Sequence, residues 1–181
     1  MAPWTGRSVP ESILPTIYSA VGFLVVNWAL VEHSLDTWST VIFHLAEGKR
    51  VNHQMQRNLG GKLEFLRRCF KRIGALAPYS EEALQLLTTA ERLSLTRHFV
   101  VHGALAHYEP QDGTIIFSKL DLVDDYTRHK INELTIPLEK LTDEGMECLK
   151  IFSPILELSV RLINAFVPEE HRHKLSSTIR R

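Results

Sequence analysis

The chain has no excess of charge of either sign. Its 181 residues include 21 Lys and Arg against 21 Asp and Glu, so the formal net charge at pH 7 is zero. A protein without a global basic field does not attract nucleic acid through its overall charge. Any site for a polyanion must therefore be a local patch of cationic side chains.

Cysteine is also scarce, because Cys69 and Cys148 are the two cysteines of the chain. Two cysteines inside helical patterns do not make a disulfide framework, and they suit a reducing compartment. The residues before Glu11 lack the charged, apolar and small-residue order of a signal peptide. We therefore expect a cytoplasmic protein.

A long hydrophobic run is present, at Ile13–Val31, and it has about the length of a membrane span. The run is interrupted by polar residues, and Glu32, His33 and Asp36 follow it directly. A helix that is apolar on several sides is more often buried between other helices or in a dimer. We expect no membrane span.

Helical periodicity predicts four helices, and a β-like pattern interrupts them before the last one. The predicted helices run from about Glu11 to Glu47, from after Gln56 to Ile73, from Ser80 to a stop at Gly103, and from Pro137 or Thr142 to Phe166. The predicted strands are Ala104–Glu109, Thr114–Leu120 and Lys130–Ile136, with a hairpin turn at Asp112-Gly113 and an acidic loop from Asp121 to Arg128.

These elements predict an all-α fold, a four- to five-helix up-and-down bundle with a small antiparallel β-hairpin or meander before the last helix. The length favours one domain. We assign residues 1–10 to an irregular N-terminal arm, residues 11–167 to the helical domain with its insertion at about 104–136, and residues 168–181 to a basic C-terminal tail.

The densest chemistry lies in the six residues Arg97-His98-Phe99-Val100-Val101-His102, which Gly103 follows. The planar guanidinium of arginine binds two phosphate oxygens at a time. Histidine exchanges a proton near neutral pH. On a helix, positions 97 and 102 differ by about 140° of rotation and about 7.5 Å of rise, whereas positions 98 and 102 share a face.

Three interpretations fit this set of residues. In the first, His102 is a general acid or base and Arg97 braces a phosphate, as in metal-independent cleavage of RNA by its own 2′-hydroxyl. In the second, His98 and His102 bind a metal ion with Glu91, although no HExxH or CxxC motif supports a metal site. In the third, these are hydrogen-bonded polar side chains at a helix end. Spacing alone favours the third, because chance easily produces an arginine and a histidine five residues apart. We expect no metal and no cofactor.

Charged side chains on the first two predicted helices also have two interpretations each. Glu32 lies in the most apolar run, and it is either an ordinary solvent-facing residue or the partner of a buried cation. The second helix has a cationic face that is either solvated or in contact with an RNA backbone. That face consists of Lys62, Arg67, Arg68, Lys71 and Arg72.

The motif resembles the signature of the HEPN domains (higher eukaryotes and prokaryotes nucleotide-binding), which is Arg-x4–6-His, often with Asn, Asp or His after the arginine. The glycine after His102 fits the same pattern. Trp28–Asp36, with Glu32 in its centre, is similar to the long first helix of the family, which has an acidic residue in its middle. The order of long helix, basic helix, motif helix and final helix also agrees, over about Glu11 to Phe166.

The resemblance implies a metal-independent endoribonuclease that forms a two-fold homodimer, with a composite active site in the cleft between the two copies. Arg97 and His102 would be catalytic, His98 would be the supporting polar residue, and Glu32 would orient Arg97 or His102. The partner would be RNA, in single strands or loops, because their backbone can reach an in-line geometry.

Members of this family often act in toxin–antitoxin or antiviral systems, which would add an antitoxin as a partner. Other members are non-catalytic and bind nucleotides or proteins through the same fold. The β insertion is not part of the minimal bundle of the family, and it would shape the cleft or carry a partner site.

Overall fold

The computed structural model describes residues 9–124 and 128–172. The predicted N-terminal arm (1–10) and basic tail (168–181) therefore lie largely outside the described residues. Residues 169–172 of the tail are helical.

The protein is mostly helical, and the four predicted helices are confirmed. A 3-10 turn at Glu11–Ile13 leads into the first of them. The helices are α1 (Leu14–Leu45), α2 (Leu59–Arg72), α3 (Ser80–His102) and α4 (Leu138–Phe166). The last helix starts at the earlier of its two predicted positions, directly after Pro137.

A small antiparallel sheet lies between α3 and α4 in the sequence, as predicted. Its strands are β1 (Ala104–Glu109), β2 (Thr114–Asp124) and β3 (Arg128–Pro137), in the order β1-β2-β3. Gly113 has a φ of 68°, a conformation that glycine adopts without steric cost. The backbone N–H of Thr114 donates to the Asp112 carboxylate at 3.0 Å. The predicted Asp-Gly turn therefore closes the first hairpin.

The predicted acidic loop from Asp121 to Arg128 is wrong at both ends. Strand β2 continues through Asp124, which pairs with Arg128 at the start of β3. The predicted strand ends at Leu120, before the first of these acidic residues, and acidic residues are depleted in strands. In the structure, the Asp121 carboxylate accepts a hydrogen bond from Asn132 across the sheet, which compensates for its poor strand propensity.

The described chain forms two compact units, residues 9–28 with 92–149 and residues 29–91 with 150–172. The second unit consists of helical segments around Trp38, whose side chain is fully buried. The indole N–H of Trp38 donates to the Ser159 hydroxyl at 2.8 Å. Its ring also meets Phe70 edge to face, with 5.8 Å between the ring centroids. This unit therefore has an aromatic core with its one indole donor satisfied.

The first unit contains the start of α1, the end of α3, the sheet and the start of α4. Ile115 and Phe117 alternate along β2 and are buried, so one face of the strand belongs to the core. Helix α4 approaches α1 closely at Gly145. A Cβ at Gly145 would lie 2.5 Å from Phe23 Cδ1 and 3.3 Å from Leu24 Cα. A side chain at this position does not fit without displacing Phe23.

Helix α1 has apolar residues on a second face as well. Leu24 and Trp28 are buried, but Tyr18 is 61 % exposed and Val26 is 65 % exposed. By length and composition, Glu11–Leu45 is the one helical segment among the described residues that could cross a membrane. Core helices of soluble proteins pass the same test, so the absence of a membrane span remains a prediction.

Gly22→Ala should stabilise the protein, and Gly145→Ala should not. At Gly145 the overpacking against Phe23 costs about 1–3 kcal/mol, which cancels or exceeds the gain in helix propensity of about 1 kcal/mol. A Cβ at Gly22 meets nothing within 4 Å, so there only the propensity gain remains. Urea unfolding of both variants against the parent protein measures the two changes. Equal effects of the two substitutions would contradict the close approach of α1 and α4.

Candidate functional site

The end of α3 is set by Gly103. Strand β1 begins at Ala104, directly after this residue. The Gly103 N–H donates to the Phe99 carbonyl at 2.7 Å. A Cβ at Gly103 would lie 2.5 Å from Phe99 O and 3.2 Å from Ser118 O. The lack of a side chain thus allows the sheet to follow the motif at once, with β2 close to the last turn of α3.

This connection brings Lys119 of β2 onto the motif. The Lys119 ammonium Nζ lies 2.7 Å from His98 Nε2. An ammonium has three donors and no acceptor. The Nε2 atom of His98 must therefore accept this hydrogen bond, which requires a neutral ring that carries its proton on Nδ1.

Asp121 of the same strand also contacts Lys119, and Asn132 of the neighbouring strand in turn contacts Asp121. Lys119 Nζ lies 2.8 Å from Asp121 Oδ1. The Asn132 side-chain N–H₂ donates to Asp121 Oδ2 at 2.6 Å. Lys119 and Asp121 are two positions apart on β2, and Asn132 pairs with Lys119 on β3. The three side chains therefore share one face of the sheet.

The electrostatic environment supports the neutral form of His98. Desolvation is the largest cause that lowers its pKa below the ordinary 6.5, and the positive charge of Lys119 is the next. His102 and Arg97 lower it further, and Asp121 opposes them. The hydrogen bonds from Lys119 and Asn132 hold the pKa of Asp121 below its ordinary value. Near neutral pH, the network thus consists of a neutral imidazole, an ammonium and a carboxylate.

The second histidine of the motif lies beside the first. The ring centroids of His98 and His102 are 4.9 Å apart, as their helical spacing predicts. Both histidines are exposed, and Arg97 is half-buried in the same turn. The last turn of α3 and the adjoining strand therefore bring two imidazoles and an ammonium together, with Arg97 near enough to lower the pKa of His98. Such a set can bind an anion and exchange protons with it.

The other predicted site residues lie in the second unit. Glu32 is half-buried on α1, and its orienting role toward Arg97 or His102 remains a prediction. On α2, Lys62 forms an ion pair with Asp36, and Arg68 lies 3.8 Å from the Glu64 carboxylate. Lys71 and Arg72 are exposed.

Arg67 has the most extensive ion pair of the predicted cationic face. Its two terminal nitrogens donate to the two carboxylate oxygens of Glu91, at 3.1 and 2.7 Å. Lys62 and Arg67 thus pair with carboxylates of α1 and α3, whereas the carboxylate next to Arg68 belongs to α2 itself. An RNA contact by the cationic face stays a prediction, and Lys71 and Arg72 are its most accessible members.

The geometry gives the metal alternative little support. Within residues 9–124 and 128–172, no group of three His, Cys, Asp or Glu side chains could hold a metal ion. Glu91, which that alternative needs as a ligand, accepts two hydrogen bonds from Arg67. Burial raises the pKa of Cys69 to about 12 and that of Cys148 to about 11, so both remain thiols at neutral pH.

Reasoning from the sequence missed Lys119, Asp121 and Asn132. A signal was present, because the alternation of Lys119, Leu120 and Asp121 continues the pattern of the predicted strand past its predicted end at Leu120. This alternation indicates a polar face of the sheet. It does not indicate which helix that face approaches, and the short connection at Gly103 decides this.

Comparison with family models, with curated proteins and with solved structures yields no match. The case for a function therefore depends on the chemical groups of Arg97, His98, His102 and Lys119.

Lys119→Met should raise the pKa of His98 toward 6.5, because it removes the nearest positive charge and the hydrogen bond to Nε2. The pKa should stay below 6.5, since desolvation remains. An NMR titration of the imidazole carbon-bound protons measures this change, with Lys140→Met as the control for loss of an exposed lysine. An unchanged His98 pKa in the Lys119 variant would contradict the contact.

Proposed function

We propose that the chain is a metal-independent endoribonuclease of the HEPN type that acts on single-stranded or loop RNA. The observation that carries the proposal is the set of cationic and imidazole groups on the last turn of α3. Arg97 stabilises the phosphate as negative charge builds up on it. His102 transfers the proton of the attacking 2′-hydroxyl or of the leaving oxygen. The reaction breaks the P–O5′ bond and leaves a 2′,3′-cyclic phosphate.

The two histidines of one turn have different roles in this proposal. The Nε2 atom of His98 accepts a hydrogen bond from Lys119, so its lone pair is engaged. His102 is exposed. We therefore assign proton transfer to His102 and a supporting role to His98, in agreement with the resemblance to the family motif.

A two-fold homodimer with a composite site belongs to the same proposal. Leu95 is 64 % exposed and Val101 is 41 % exposed, and both lie on α3 next to the motif. The two residues are six positions apart, about 120° around the helix, so each borders the motif on a different side, and we place the contact between the two copies here. In a two-fold dimer, the same surface of both copies meets, so the two motifs face one cleft. The finer fold assignment, an up-and-down bundle of HEPN type, is part of this proposal.

The remaining roles follow from the same hypothesis. Glu32 orients Arg97 or His102, and the cationic face of α2 binds the RNA backbone. The proposal includes a biological role, in which the endoribonuclease is a toxin or a defence effector and has an antitoxin as its partner.

The exposed apolar residues beside the motif also favour a second candidate function. A non-catalytic helical module would use Leu95 and Val101 to dimerise, and the cations of the motif to bind a nucleotide or an acidic protein. In this case Arg97 and His102 contribute to binding and not to a reaction.

Cleavage of a mixed RNA substrate in excess EDTA distinguishes the two functions. The parent protein should cleave and leave 2′,3′-cyclic phosphate or 3′-phosphate ends. His102→Ala should lower the rate by about 10²–10⁴-fold, the usual contribution of a general acid or base, and Arg97→Ala should lower it by a comparable factor. The matched controls are His53→Ala and Arg57→Ala, because both residues are exposed and lie in the loop before α2. Cleavage that survives in His102→Ala, or requires a metal ion, would refute the proposed mechanism.

Leu95→Glu should dissociate the dimer and reduce RNA cleavage together, because it places a charge in the proposed interface. Sedimentation velocity measures the oligomeric state, and a cleavage assay over a range of protein concentrations measures the activity. The control is Leu45→Glu, at an exposed leucine of a different helix, α1. A Leu95 variant that is monomeric and fully active would show that the active site is not composite.

A further inference from the structure

The sheet contributes a cation to the motif surface, although the β insertion is not expected in the minimal bundle. Lys119 lies between His98 Nε2 at 2.7 Å and Asp121 Oδ1 at 2.8 Å. An ammonium that donates to two acceptors at once is restricted more than an ammonium that donates to one. Asp121 is itself held by Asn132. The two contacts therefore restrict the rotamers available to the lysine.

The geometry leaves part of the ammonium available to a ligand. Of its three N–H donors, one is directed at His98 and one at Asp121. The third can donate to an oxygen that approaches from outside. The side chain of Lys119 is 20 % exposed, so it is not closed off from solvent. A partly desolvated ammonium whose position is already determined binds an anionic oxygen at a low entropic cost.

We propose that Lys119 binds a phosphate of the RNA next to the one that Arg97 contacts, and that His98 and Asp121 are the positioning residues that hold it there. This inference rests on the proposed function for the identity of the ligand. It assigns the β insertion to the substrate-binding surface of the motif. It also explains why a neutral imidazole follows Arg97, because a protonated His98 could not accept from Lys119.

A requirement for a second phosphate has a consequence for the substrate class. Arg97 contacts the phosphate that reacts, and Lys119 contacts a neighbouring one along the strand. The ligand is therefore an oligonucleotide with at least two consecutive phosphates. A nucleoside monophosphate or a cyclic nucleotide, with its single phosphate, offers only one of the two contacts.

The test measures binding separately from cleavage. A fluorescent oligoribonucleotide with 2′-O-methyl groups throughout cannot react through its own 2′-hydroxyl, so its affinity does not depend on catalysis. Lys119→Met should weaken its binding by about tenfold or more, the range expected for a charge-assisted hydrogen bond. The slope of log K against log salt should fall by about 0.7, the value for one phosphate contact on a single strand. Lys140→Met, an exposed lysine of α4, should change neither quantity.

A second pair of variants tests the positioning role of His98. His98→Phe removes the acceptor for Lys119, whereas His98→Gln keeps an oxygen that can accept. His98→Phe should weaken binding and His98→Gln should restore part of it. In a Lys119→Met background the difference between the two should disappear. A purely structural role of His98 would leave the same difference in both backgrounds.

The outcomes separate this inference from the proposed function. If Lys119→Met weakens binding but the parent protein cleaves no RNA, the phosphate contact stands and the endoribonuclease proposal fails. If the parent protein cleaves RNA but Lys119→Met binds the probe as tightly as Lys140→Met does, the inference is overturned and the proposed function stands. If the parent protein does not bind the probe at all, the inference is overturned as well.

Discussion

The absence of a side chain at Gly103 is the constraint on which the motif surface depends. Any Cβ there would collide with the Phe99 carbonyl of α3 and crowd the Ser118 carbonyl of β2. Because glycine avoids this collision, helix and sheet join without a loop. The polar face of β2 then meets the last turn of α3, and Lys119 reaches His98. A single backbone approach thus connects the β insertion to the chemistry of the motif.

Charge pairing explains how a chain with zero net charge can present a local cationic surface. On α2, Lys62, Arg67 and Arg68 lie next to carboxylates of the same unit. At the motif, Lys119 has one charged neighbour, the Asp121 carboxylate, and one neutral neighbour, the His98 imidazole. The proposed phosphate contact therefore depends on this local arrangement and not on the total charge.

The neutral state of His98 follows from the same distribution. Burial and the neighbouring cations lower its pKa, and this keeps the acceptor for Lys119 intact near neutral pH. As the pH falls below the unfolded-state value, this histidine resists protonation in the folded protein. Its contribution to stability is therefore present above about pH 6.5 and is lost as the pH falls toward its folded-state pKa. The contact between Lys119 and a neutral His98 is therefore favoured near neutral pH.

The sequence by itself determined the local structure: four helices, three strands, the Asp112-Gly113 turn and the position of Arg97, His98 and His102 at the end of a helix. Periodicity and turn residues report backbone conformation, so these features could be predicted. Tertiary structure alone decided that Lys119 and Asp121 join the motif, and that Asp121 lies in a strand and not in a loop. The physical reason is that these contacts connect elements distant in sequence, and such contacts depend on how the elements pack.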